Sequence, residues 1–143
     1  MKTLVIGAAI IDIIMKIKRL PKSGEDILCS ETVSTVGGCA YNVAGTLRGF
    51  GVDHDLFVPV GRGMYGDMIA GDLEKLGYQI LIREEESDNG YCLCLVEEDG
   101  ERTFITVKGA EGRFRPSWFE QLSQDAYDSI YVAGYQGCGT SGG

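Results

Sequence analysis

Two adjacent glycines, Gly37 and Gly38, separate a β-branched segment from a run with helical periodicity, and Asn42 follows one turn into that run. Glycines at a strand-to-helix turn let the backbone approach a ligand with no Cβ in the way. The helix start then presents free amide groups and a partial positive charge. Asn42 both donates and accepts hydrogen bonds, which suits a pair of hydroxyls. A tight structural turn without a ligand is an equal reading of the same residues. Asp12 stands five residues after Gly7, the end of the first apolar run. Its carboxylate can accept from two neighbouring sugar hydroxyls; the plainer reading is a cap or a solvated residue.

Other chemistries find less support. Cys92 and Cys94 fall on one face of a strand. They could form a metal pair, but no second Cys or His pair accompanies them, so two small core residues is the better reading and no metal site is assigned. His54, the single histidine, sits between Asp53 and Asp55 and reads as a solvated turn rather than a triad member. Ser141 is not read as the nucleophile of a hydrolase elbow. Gly7-Ala8-Ala9-Ile10 is not the dinucleotide fingerprint, and a Walker A loop is absent.

The bulk composition narrows the field further. With 143 residues the chain can bury one real core. At 44% hydrophobic and 24% charged it has a globular composition. The net charge of -8, with no basic stripe, argues against nucleic acid as a partner. The five cysteines are odd in number and irregularly spaced, which argues against a disulfide framework. Asp12 interrupts the apolar N-terminus, so it reads as neither signal peptide nor membrane span, and a cytoplasmic protein with reduced thiols is expected.

These residues need a scaffold. Lys2–Gly7 reads as a buried parallel strand, and Ile10–Ile17 and Ile27–Val36 as a strand pair joined through Pro21 and Gly24. The periodicity predicts a helix over Cys39–Arg48, with Val43, Leu47 and Phe50 on one side. Asp55–Val60 is a buried strand whose pairing Pro59 limits. Asp67–Leu76 is an amphipathic helix opened by a capping Asp67 and stopped at Gly77. Gln79–Arg83 is a strand. Tyr91–Val96 and Arg102–Val107 form a hairpin about Gly100. Pro116 begins a short helix through Trp118, Phe119 and Leu122, and Ser129–Ala133 is another buried strand. Strands alternating with helices imply a mainly parallel sheet. The two hairpin pairs break that alternation and fit a small β-sheet beside it.

The set Gly7…Asp12, Gly37-Gly38-x-x-x-Asn42, Gly51 and Gly61 resembles the N-terminal pattern of the ribokinase-like (PfkB-type) carbohydrate kinases. The resemblance runs through the whole chain and includes the turn Asp99-Gly100-Glu101-Arg102-Thr103 and the following Gly109-Ala110. It implies an α/β fold, a Rossmann-like mainly parallel sheet with flanking helices plus a small β-sheet lid. Residues 1–143 would be the N-terminal part of the kinase domain, with lid segments at about 13–36 and 90–108. The implied activity is transfer of the ATP γ-phosphoryl group, with Mg²⁺, to a hydroxyl of a sugar or nucleoside. By the same resemblance Asp12 holds substrate hydroxyls, Gly37 and Gly38 lie against the substrate, Asn42 hydrogen-bonds it, and Gln136 approaches the pocket. Two copies pairing through the lid strands is a further implication.

The chain also departs from that pattern. Gly63 stands where the family often has an Asp in Gly-x-Asp-x-x-Gly, and Cys39 stands where ribokinases proper tend to have Lys, so ribose is not assumed. The family's catalytic Asp lies in a Gly-Ala-Gly-Asp turn, and Gly139-Thr140-Ser141-Gly142-Gly143 lacks it. No catalytic residue is therefore assigned, and the chain reads as a fragment that ends before the nucleotide-binding half. The alternative to a kinase is a non-catalytic module that binds a polyol or assembles through its lid strands.

Overall fold

The computed structural model describes residues 1–133. In chain order the elements are β1 (Lys2–Ile6), β2 (Ile10–Lys16), β3 (Glu31–Gly37), α1 (Cys39–Gly49), β4 (Asp53–Phe57), β5 (Pro59–Val60), α2 (Met64–Lys75), β6 (Ile82–Arg83), β7 (Tyr91–Val96), β8 (Arg102–Val107) and β9 (Ser129–Val132). Short 3-10 turns at Ala110–Gly112, Pro116–Gln121 and Gln124–Ala126 link β8 to β9.

The apolar run of β1 sits at the centre of a parallel sheet ordered β4-β1-β9. Leu4 and Val5 of β1 are fully enclosed, as expected of a strand flanked on both edges. A short parallel pair, β5 with β6, stands apart from it in pairing. The expected hairpin pairs join into one mixed sheet ordered β3-β2-β7-β8. β2 runs antiparallel to β3 and parallel to β7, and β7 antiparallel to β8.

Strand alternation divides this second sheet by chemistry. Ile11, Ile13, Val36 and Tyr91 join Val5, Ala40, Ala44, Val58, Ile69 and Leu73 in the main core. That core clamps the second sheet onto both helices. A smaller cluster of Leu4, Ile6, Phe57 and Ile82 packs on the other side against Phe114, Trp118, Leu122 and Tyr127. Burying each such side chain contributes about 1.5–3 kcal/mol.

Several sequence-based expectations are corrected. The strand expected from Ile27 begins only at Glu31. On α1 the enclosed residues are Ala40 and Ala44, with Val43 and Leu47 half-buried; Phe50 caps the helix end and is 80% exposed. Small side chains there let the helix approach the sheet closely, which a search for large apolar residues passes over. The strand expected over Asp55–Val60 splits into β4 and β5, consistent with Pro59 lacking an N–H for continuous pairing. Helix α2 starts at Met64, so Asp67 lies in its first turn and is not its cap. Only Ile82–Arg83 of the expected Gln79–Arg83 strand pairs. β9 forms as expected, but Ile130, Tyr131 and Val132 are exposed rather than buried among the described residues. His54 lies inside β4, half-buried, with Nδ1 against Val52 O and Nε2 against Tyr78 Oη, both at 2.7 Å.

Candidate functional site

The register of the second sheet aligns Thr35, Asp12, Cys92 and Thr106 as one row across β3, β2, β7 and β8. This row lies on the face opposite Ile11, Ile13 and Val36, which point into the core. The next row on the same face is Val33, Ile14, Cys94 and Phe104. A carboxylate flanked by small polar groups therefore stands on the open side of the sheet.

Asp12 leans toward the end of β3. A Cβ on Gly37 would overlap its carboxylate, so the glycine makes room for it. Gly38 has φ of 104°, and a Cβ there would lie 2.5 Å from the Ala8 carbonyl oxygen. Both glycines thus have steric reasons, and the reason at Gly37 is Asp12 itself. Helix α1 starts immediately afterwards, with the Asn42 N–H donating to Gly38 O at 2.9 Å. The Asn42 side chain is exposed one turn into the helix.

The structure brings Asp12, Gly37 and Gly38 together at the start of α1 and sets Asn42 one turn further on. Gln136 lies outside the described residues, as does Ser141. The sequence Gly139-Thr140-Ser141-Gly142-Gly143 does carry Gly-x-Ser-x-Gly spacing, so that motif alone does not exclude an elbow serine.

Partial burial raises the pKa of Asp12 above its ordinary 3.8. Among the described residues, no hydrogen bond or salt bridge reaches this carboxylate, so its lone pairs are available to a ligand. Cys92 and Cys94 lie beside it, with sulfur atoms 4.0 Å apart. Burial, and then the neighbouring Cys92, push the Cys94 thiol upward.

Sequence reading missed the residues that hold this region in place. Asn89 is 3% exposed; its Oδ1 accepts from Gly61 N at 2.7 Å, and its Nδ2 donates to Pro59 O at 2.9 Å and Ala9 O at 3.3 Å. It ties the β1–β2 loop to the β5 turn and the start of β7. Asp88 Oδ1 accepts from Gly66 N at 2.7 Å and Oδ2 from Tyr65 N at 3.2 Å. It thereby caps α2 from a distant loop, and a Cβ on Gly63 would overlap it. The carboxylate expected in the chain at position 63 is absent, but one from Asp88 stands against that glycine. Buried Glu111 accepts from Gly90 N at 2.8 Å and Gly109 N at 3.0 Å, closing the base of the β7–β8 hairpin. Nothing in the sequence around Asp88-Asn89-Gly90 signals these roles, because their partners lie 21 to 80 residues away in the chain.

Residues 1–139 match the model of the pfkB family carbohydrate kinases. The chain is 40% identical over 133 residues to the uncharacterized sugar kinase YegV of Escherichia coli (strain K12), covering 93% of this chain and 41% of that protein. The structure superposes on ribokinase from Giardia lamblia with a TM-score of 0.80 at 25% identity, over 92% of this chain and 41% of that one. It also superposes on Arabidopsis thaliana ribokinase complexed with ribose and ATP, with a TM-score of 0.72 at 25% identity, over 92% of this chain and 44% of that one. The chain thus spans less than half the length of each of these relatives.

Proposed function

We propose that this chain, which belongs to the pfkB family of carbohydrate kinases, carries the acceptor-binding part of an ATP-dependent kinase for a sugar or nucleoside. The observation that carries the reading is the Asp12 carboxylate, free of protein partners among the described residues and set against Gly37 at the start of α1. Asp12 accepts hydrogen bonds from acceptor hydroxyls, which are charge-assisted and among the stronger ones. Gly37 makes room for the Asp12 carboxylate, so a substrate held by Asp12 lies beside Gly37 and Gly38, and Asn42 reaches it from the first turn. Gln136 belongs to the same proposed contact set. With the acceptor held so, its reacting hydroxyl is oriented for transfer, and positioning is most of what phosphoryl transfer requires. The family match favours this reading over a non-catalytic polyol-binding module.

ATP and Mg²⁺ are the group donor and metal of this proposal, but the residues present do not suit them. The N-terminus of α2 is already taken by the Asp88 carboxylate, and that of α1 follows the glycine touching Asp12. A triphosphate would meet negative charge at both. Mg²⁺ demands oxygen ligands in an octahedron, whereas the two ligand groups clustered with Asp12 are the thiols of Cys92 and Cys94. No step of transfer is assigned to these residues; the proposed nucleotide and catalytic Asp belong to the part of the relatives that this chain does not span.

Calorimetry of the wild-type chain and Asp12→Ala against a panel of D-ribose, D-fructose and adenosine tests the acceptor site. Binding by wild type and its loss in Asp12→Ala are expected; equal binding by both removes Asp12 from the site.

The outer strands favour a second element of the proposal. Val33 on β3 and Phe104, Ile105 and Val107 on β8 are exposed, and unpaired strand edges accept another strand readily. Two copies would pair through them, and a strict monomer by light scattering contradicts this. No helix among the described residues is long and apolar enough to cross a membrane. The free thiols of Cys29, Cys39, Cys92 and Cys94 fit the proposed cytoplasmic location.

A further inference from the structure

We propose that Asp12, Cys92 and Cys94 form a binding site for a thiophilic divalent cation of the Zn²⁺ class, and that its occupancy blocks the acceptor carboxylate. One ligand atom from each residue lies within 4.8 Å of the other two. The sulfur–sulfur separation is 4.0 Å. Two thiolates on a tetrahedral Zn²⁺, each at about 2.3 Å, stand about 3.8 Å apart. The pair therefore needs almost no movement, and Asp12 needs a shift of about an ångström to bring an oxygen to about 2.0–2.2 Å from the metal.

The backbone explains why these donors converge. Cys92 and Cys94 occupy alternate positions of β7 and so share a face. The parallel β2–β7 register places Asp12 directly beside Cys92. The same geometry disfavours a disulfide between the two cysteines. Alternate residues of a strand stand about 6.6 Å apart with parallel Cβ vectors, at the far limit of what a disulfide spans. The thiols thus stay available as separate ligands. Both are largely enclosed, at 7% and 9% exposure for their residues, while Asp12 is only half-buried and forms the open side. The Thr106 hydroxyl donates to Cys92 Sγ at 3.6 Å and acts as an outer-shell contact. Three protein donors leave one position for water or a ligand hydroxyl.

The blocking of acceptor rests on the proposed role of Asp12; the metal site does not. Co²⁺ and Zn²⁺ titrations of the reduced 143-residue chain test the site. One equivalent of Co²⁺ is expected to give a thiolate-to-metal charge-transfer band that Zn²⁺ displaces. The band persists in the Cys29→Ser, Cys39→Ser, Cys138→Ser chain, disappears in Cys92→Ser and Cys94→Ser, and weakens in Asp12→Asn. No band in the wild-type chain overturns the site, as does a band that survives in Cys92→Ser or Cys94→Ser. Calorimetry with the same sugar panel, before and after Zn²⁺ loading, reads the second part. Zn²⁺ is expected to lower affinity at least tenfold. Equal sugar affinity with and without Zn²⁺ overturns the blocking. Absence of sugar binding to the metal-free chain overturns the acceptor reading, and the blocking with it, while the cobalt band still decides the metal site.

Discussion

The carboxylate of Asp12 on β2 rests against the Cα of Gly37 at the end of β3, where any side chain would overlap it. A strand residue and the glycine that begins the turn into α1 are thereby one steric unit. Gly37→Ala should displace the carboxylate while leaving the sheet pairing intact. Acceptor affinity should fall at least about tenfold, the equivalent of about 1.4 kcal/mol. Calorimetry beside circular dichroism checks this; a folded Gly37→Ala chain with unchanged affinity separates the glycine from the site.

Acceptor binding should depend on pH through Asp12. Burial raises its folded-state pKa above 3.8, so the carboxyl protonates at a higher pH than an exposed aspartate does. Affinity should therefore fall as pH drops through a point somewhat above 3.8. The stability contribution has the opposite sense: it is fully present below the unfolded pKa and lost as pH rises through the folded one. Relative to Asp12→Asn, the wild-type chain should gain stability on acidification, as urea melts at a series of pH values would show.

Asp88 caps α2 across a long stretch of chain, because Gly63 at the N-cap position offers no side chain. Asp88→Ala should cost about 0.5–2 kcal/mol, the usual range for a lost N-cap. Urea denaturation reads the loss. Asp88→Asn, which keeps an acceptor oxygen, should recover part of it.

Asn89→Leu keeps the branched shape of the side chain but leaves the Gly61 N–H and the carbonyls of Ala9 and Pro59 without their partner. Each stranded buried group costs about 1–3 kcal/mol, so a loss of at least about 2 kcal/mol is expected. Denaturant midpoints check it, and a neutral result would show that water replaces the amide.

The 143-residue chain alone should show no ATP-dependent phosphorylation of any sugar in the panel. A coupled ADP assay checks this, and sugar-dependent ADP release would contradict it.

The sequence by itself determined most element positions and the family. Apolar runs marked β1 and β7, glycines marked the ends of α1 and α2, and the spacing of Asp12, Gly37, Gly38 and Asn42 carried the resemblance. These signals are local, or lie in register along the chain, so they can be read without coordinates. Tertiary structure decided what depends on strands meeting. It showed that Asp12 fills the space Gly37 leaves empty, that Asp88 rather than Asp67 caps α2, and that Asn89 joins three segments. Cys92 and Cys94 read as small core residues along β7. Only the β2–β7 register, joining Asp12 to Cys92 80 positions along the chain, puts a carboxylate beside them. Periodicity tells which face a side chain takes; pairing between distant strands decides which side chains share it.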